Sequence, residues 1–162
     1  MWGVIVGLAL AAYATTAARA QDVRVEIVEY GLYTAEKTAS ERDAKGVLRS
    51  ALTTVRHAAT TTTVPAELGV RFGFRYRVIG NLEGEQIELT KFTIYPPAGV
   101  KPPQSLQPLQ KSETKIKPKI GVTAYTDYGF DDTWELVPGK WTIQLWQGNR
   151  KLAEQSFTVT KR

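Results

Sequence analysis

The chain has no cysteine in its 162 residues, and it carries one histidine and one methionine. Without cysteine there is no disulfide staple, no thiol nucleophile, no thiolate zinc site and no sulfur for a lipid anchor, so stability has to come from packed apolar side chains. His57 stands alone. It lacks a second histidine with which to build a usual zinc site, and a catalytic triad would need a nucleophile beside it. None of the five serines, Ser40, Ser50, Ser105, Ser112 and Ser156, lies in a Gly-x-Ser-x-Gly elbow, and no phosphate-cradling glycine loop is present. These absences argue against an enzyme, and the expected cofactor and metal complement is none.

The N-terminus carries more information. Trp2 to Ala14 is apolar and uncharged, Ala18-Arg19-Ala20 supplies small residues at the A-x-A positions, and polar Gln21-Asp22 follow. This order predicts a secretory signal peptide over residues 1–20, although its first residues lack Lys or Arg, and a mature chain starting at Gln21 that works in the periplasm or is secreted. The apolar stretch falls short of the ~20 residues that cross a bilayer, so no stable membrane span is expected after cleavage. Residues 21–162 suit one domain with one continuous core.

Charge is local. Cleavage removes Arg19 and leaves 20 basic against 16 acidic side chains. Lys101, Lys111, Lys115, Lys117 and Lys119, set against Glu113, account for that whole excess of +4. The remainder is balanced, which argues against a nucleic-acid partner.

Period-two patterning dominates the mature chain. Val23 to Ile27 alternates apolar and charged. Between Gly69 and Ile79, Val70, Phe72, Phe74, Tyr76 and Val78 share one face, while Arg71, Gly73, Arg75 and Arg77 share the other. Polar Thr34 to Lys45 reads as a loop, and Val47 to Arg56 leans to strand through its β-branched residues. Within Gln86 to Tyr95 the apolar parity switches between Leu89 and Phe92, so a bulge near Lys91 is expected. Residues 96–119 hold six of the eight prolines and read as a long extended connection or an edge crossing. Trp141, Ile143 and Leu145 share a core parity and leave Trp146 opposite, as the ring expected at the surface; Lys151 to Thr160 forms the last strand. About seven short strands with turn signals between them predict an antiparallel β-sandwich.

The closing segment, Pro138 to Trp146 followed by a glycine turn and Ala153 to Val159, resembles the last two strands of many bacterial extracytoplasmic immunoglobulin-like domains. Val28-Glu29-Tyr30-Gly31, Val64 to Gly69, Ile94-Tyr95-Pro96-Pro97 and Tyr128 to Asp132 together resemble a small uncharacterised bacterial family of exported proteins of unknown function. The resemblance implies an immunoglobulin-like sandwich and one domain, and it implies no activity.

Besides the lysines of residues 101–119, which would meet anionic lipid or cell wall or else serve as solvated edge protection, three surfaces are candidates for contact. The acidic and aromatic stretch with Tyr125, Asp127, Tyr128, Asp131, Asp132, Trp134 and Glu135 would suit a small ligand, a glycan or a divalent cation, set against a solvated turn whose carboxylates cap amides or meet arginines. The stripe of Arg71, Arg75 and Arg77, spaced by ~7 Å, would suit a polyanion, or would pair across strands with Glu83, Glu85 or Glu88. Trp146 marks a third contact point. The expected function is a non-enzymatic module that recognises a protein or a cell-envelope component through sheet edges and the proline-rich connection.

Overall fold

The computed structural model describes residues 22–161, so the expected signal peptide and its cleavage site lie outside the described residues. Within them the chain forms nine strands: β1 Arg24–Arg42, β2 Leu48–Ala59, β3 Thr63–Pro65, β4 Arg71–Ile79, β5 Leu89–Ile94, β6 Lys111–Ile116, β7 Thr123–Gly129, β8 Gly139–Gln147 and β9 Arg150–Thr160. One turn of 3-10 helix, Thr133–Glu135, separates β7 from β8. Two sheets result, ordered β2-β1-β4-β7 and β3-β9-β8-β5-β6. Every pairing is antiparallel except β3 with β9.

The sheets face each other through the side chains that the alternation predicts. Phe72, Phe74, Tyr76 and Val78 of β4 are buried, as are Trp141, Ile143 and Leu145 of β8. Phe72 is the hub. Its ring centre lies 5.1 Å from Phe157, 5.4 Å from Phe130, 5.9 Å from Trp141 and 6.1 Å from Tyr128. The Phe157 and Trp141 contacts are edge-on, the arrangement that sets a positive ring edge against a negative ring face.

Three expectations about strands are corrected. Thr34 to Lys45 is no loop: β1 continues to Arg42 paired with β2, and only residues 43–47 turn, with the Asp43 carboxylate accepting from the Lys45 and Val47 amides. Most of that distal half of β1 is exposed. It therefore carries no apolar alternation, although its backbone is satisfied by β2. The expected bulge near Lys91 is also absent, since β5 pairs without a register break with both β6 and β8. Ile87, Leu89, Thr93 and Tyr95 turn inward, and Phe92 and Ile94 turn outward on the same regular strand. Bulges fall elsewhere. One in β1 leaves Val28 unopposed and 61% exposed, and another interrupts β8–β9 pairing between Leu145 and Trp146. Finally, the proline-rich segment contains β6, an edge strand, with all of its prolines outside the paired residues as a strand ladder requires. Together with three-residue β3, it raises the strand count above the expected seven.

Candidate functional site

Strand parity divides the aromatic and acidic stretch. Tyr125 and Asp127 stand opposite Arg75 and Gly73 on the outer face of the four-stranded sheet, whereas Thr126 and Tyr128 point into the core. Tyr128 is thus a core residue, its ring centre 4.9 Å from that of Trp141 and its plane tilted by 52°. Tyr125 packs edge-on against Tyr33 at 4.8 Å, and Tyr33 does the same against His57 at 5.2 Å. The Tyr33 hydroxyl donates to Glu29 at 3.2 Å, and His57 Nε2 donates to the Tyr30 carbonyl at 3.2 Å. Burial pushes the Tyr125 hydroxyl well above the ordinary phenol value, with the neighbouring Asp127 charge adding to it.

The arginine stripe is one face with three environments. Arg71 is buried and donates through Nε to Asp127 at 2.7 Å. Burial works against its charge, yet Asp127's charge and hydrogen bond outweigh that and raise its pKa. Arg75 donates to the Val55 carbonyl at 2.8 Å and lies 3.8 Å from Glu29. Arg77 is exposed, across from Glu26 in the ladder. Cross-strand pairing is therefore present with other partners than expected: Glu29 on β1 and Asp127 on β7 flank β4 directly, while Glu88 meets Lys115 at 3.3 Å. Lys91 on β5 reaches across to the Asp127 carbonyl. A cleft of about 280 Å3 opens here between β6 and β7, lined by Arg71, Lys91, Thr114, Tyr125, Asp127 and Asp131.

Asp131 and Asp132 hold the projecting β1–β2 arm. Lys37 pairs with Asp131, and Arg42 forks onto both oxygens of Asp132 at 2.7 and 3.1 Å. The hydrogen bond from Arg42 keeps the Asp132 carboxyl below the ordinary aspartate value. Behind them Glu135 is 1% exposed. It accepts from the Tyr128 hydroxyl at 2.7 Å and from the amides of Asp131 and Asp132 at 2.7 and 2.8 Å. Burial raises its pKa, and these three donors oppose that rise without cancelling it. Its place four residues after Asp131 and three after Asp132 is a capping-box signature that the sequence displayed.

On the other sheet Trp146 lies on the outer face, half-buried, with Phe92 and Ile94 beside it. Phe92 meets Trp146 edge-on at 6.1 Å, and the Lys111 ammonium sits 5.0 Å from the Phe92 ring centre. A cavity of about 300 Å3 is lined by Phe92, Ile94, Lys111, Gln144, Trp146 and Asn149, with Gly148 at the turn. The indole N–H donates to Gln144 Oε1 at 2.9 Å, the Gln144 amide donates to Glu154 at 2.7 Å, and Glu154 also accepts from Lys151 at 2.8 Å. The Lys151 hydrogen bond lowers the Glu154 pKa, so this anchor is ionised at neutral pH. Sequence reasoning found Trp146, named Lys111 only as one of the lysines of residues 101–119, and missed Phe92 and Ile94. The signal was there: apolar residues on both parities of β5 mean that both faces of the strand have something to cover.

The family model described as Domain of unknown function (DUF3859) matches residues 21–159. The chain is 32% identical to an immunoglobulin-like protein from Pseudomonas aeruginosa whose crystal structure it resembles with a TM-score of 0.63, over 88% of this chain and 99% of that one. No curated protein matches the chain. The sandwich of two sheets is accordingly an immunoglobulin-like fold.

Proposed function

We propose, for a chain that belongs to this family of unknown function, the role of a non-enzymatic recognition module that works outside the cytoplasm and binds a protein or cell-envelope component. One observation carries it. The outer face of the five-stranded sheet holds an aromatic and aliphatic shelf, Trp146, Phe92 and Ile94, that runs from β8 across β5 to Lys111 on the edge strand β6. Clustered apolar rings on an otherwise polar sheet face are what a contact surface requires. The groups with chemical potential on the opposite sheet are committed to structure: Arg71 to Asp127, Lys37 to Asp131, Arg42 to Asp132, and Glu135 to its three donors. The shelf also adjoins the proline-rich connection, so edge and face are offered to the same partner.

Capture from an envelope extract with residues 21–162 as bait tests this reading. The wild type is expected to retain a component that the Phe92→Ser/Trp146→Ser variant, shown folded by its near-UV spectrum, fails to retain. Retention of nothing above background by the wild type, or equal retention by both, rejects the reading.

A further inference from the structure

Building on the reading of this shelf as a contact surface, we infer that the Trp146 cavity binds a pyranose ring bearing a carboxylate, that is, an acidic glycan. Three features of the cavity converge on that chemistry.

The first is the way Trp146 is held. A surface tryptophan with free torsions loses rotamer entropy when a ligand immobilises it. Trp146 has less of that freedom to lose. Its N–H is tied to Gln144, Gln144 to Glu154, and Glu154 to Lys151, a relay that crosses from β8 to β9 and fixes the indole plane before any partner arrives. The β8–β9 register break beside Trp146 re-aims the strand at that point, a use to which bulges are commonly put. A fixed ring lined up along an open cavity is suited to a flat, rigid partner. The face of a pyranose is such a partner, since its row of polarised C–H bonds meets the negative face of an aromatic ring.

The second is the composition of the walls. Phe92 and Ile94 give an apolar floor, while Asn149 brings an amide to the rim. Sugars present one apolar face and a girdle of hydroxyls, so a cavity that is apolar beneath and polar at its edge matches them. A purely aliphatic ligand would leave the rim unanswered. The volume of about 300 Å3 is enough to take a pyranose ring, with the rest of an oligomer running over the sheet.

The third is charge. Lys111 is held over Phe92 at 5.0 Å, which keeps its ammonium at the cavity. Lys111 belongs to the segment that carries the whole basic excess of the mature sequence. A carboxylate on the ring would meet it in a charge-assisted hydrogen bond. Uronic acids and N-acetylmuramic acid share this combination of ring and carboxylate, and they differ in where the carboxylate is attached.

Titration of the tryptophan fluorescence of Trp134→Phe, in which Trp146 and the buried core Trp141 remain as emitters, with three probes tests the inference: tetragalacturonate, its fully methyl-esterified form, and the disaccharide of N-acetylglucosamine and N-acetylmuramic acid. Binding of at least one carboxylated probe is expected, with tetragalacturonate about tenfold tighter than its ester at low salt if the uronate is the ligand. Because removing Trp146 removes the one tryptophan that lines the cavity, the variants are read by calorimetry. Trp146→Ala should abolish binding, and Lys111→Gln, an exposed change that leaves the shelf in place, should erase the preference for the free acid over the ester. Preference for the disaccharide assigns the muramyl carboxylate instead and upholds the inference, provided that Lys111→Gln weakens it. No binding of either carboxylated probe, equal binding of acid and ester without a Lys111-dependent preference for the disaccharide, or binding that survives both substitutions overturns it. Those failures leave the recognition reading distinguishable, because capture from the extract that still depends on Phe92 and Trp146 would then point to a protein partner.

Discussion

Glu135 shows how a single residue organises this fold's acidic end. Its carboxylate ties the 3-10 turn to the core through Tyr128 and fixes the amides of Asp131 and Asp132. The two aspartates are thereby aimed at the β1–β2 arm, where Lys37 and Arg42 meet them. Of the two sequence readings of this cluster, a cation loop and a turn whose carboxylates cap amides or meet arginines, the contacts seen are those of the second: Glu135 accepts from two amides and Asp132 from Arg42. The pH dependence of the cluster has a definite sign. The folded pKa of Asp132 lies below the ordinary value of 3.8, so the stabilisation it gives to arm docking is present above that value and is lost as pH falls through the folded one. In an acid titration followed by NMR, the Arg42 and Gly46 amide resonances should move with a midpoint below 3.8 toward their positions in Asp132→Asn. A midpoint at or above 3.8 contradicts this docking.

Among the elements, β4 is the strand on which both the core and the outer charged face depend. It sits between β1 and β7, and one of its outward positions is glycine for a steric reason. A Cβ on Gly73 would come within 2.1 Å of the Thr126 carbonyl oxygen and 2.6 Å of Asp127 Cα, both backbone atoms of β7 that have no rotamer through which to move away. Gly73→Ala is therefore expected to push β7 off β4 and to cost about 1–3 kcal/mol or more, the range for overpacked sites, with the loss read by urea denaturation. Loss of hydrogen-exchange protection along Thr123–Gly129 should accompany it. A variant as stable as the wild type would show that the strands separate at no cost. The arginine stripe of β4 was legible as a stripe, since alternation fixes which residues share a face. Its partners were not legible, because neighbours in a sheet are set by topology: β1 and β7 flank β4, so Glu29 and Asp127 take the places that sequence proximity suggested for Glu83, Glu85 and Glu88.

In the whole molecule, one aromatic cluster joins the two sheets without any covalent link. Phe72 of β4 touches rings from β7, β8, β9 and the segment after β7, which makes it a residue whose loss the sandwich should feel strongly. Phe72→Ala should destabilise by about 3–5 kcal/mol, measured by denaturant unfolding with near- and far-UV signals compared. The two signals should stay coincident, since two sheets closed on one core cluster unfold as a unit. A cost below about 1 kcal/mol would mean that the cluster is not the bond between the layers.

The sequence by itself determined the all-β class and which residues of β4 and β8 make the core, because the period of a strand is a local property written into consecutive side chains. It also determined that Trp146 would lie apart from Trp141, Ile143 and Leu145. Only the tertiary structure decided the rest. The arm from Thr34 to Arg42 is a strand because β2 satisfies its backbone, a fact that a doubly solvated strand does not announce through apolar alternation. Tyr125 and Tyr128, three apart in sequence, were parted onto opposite faces. Phe92, Ile94, Lys111 and Trp146 come from three strands that are neighbours only once the sheet is assembled in the order β8-β5-β6. A contact surface built across strands has no linear signature, because strand order is settled by packing and pairing energies summed over the whole chain.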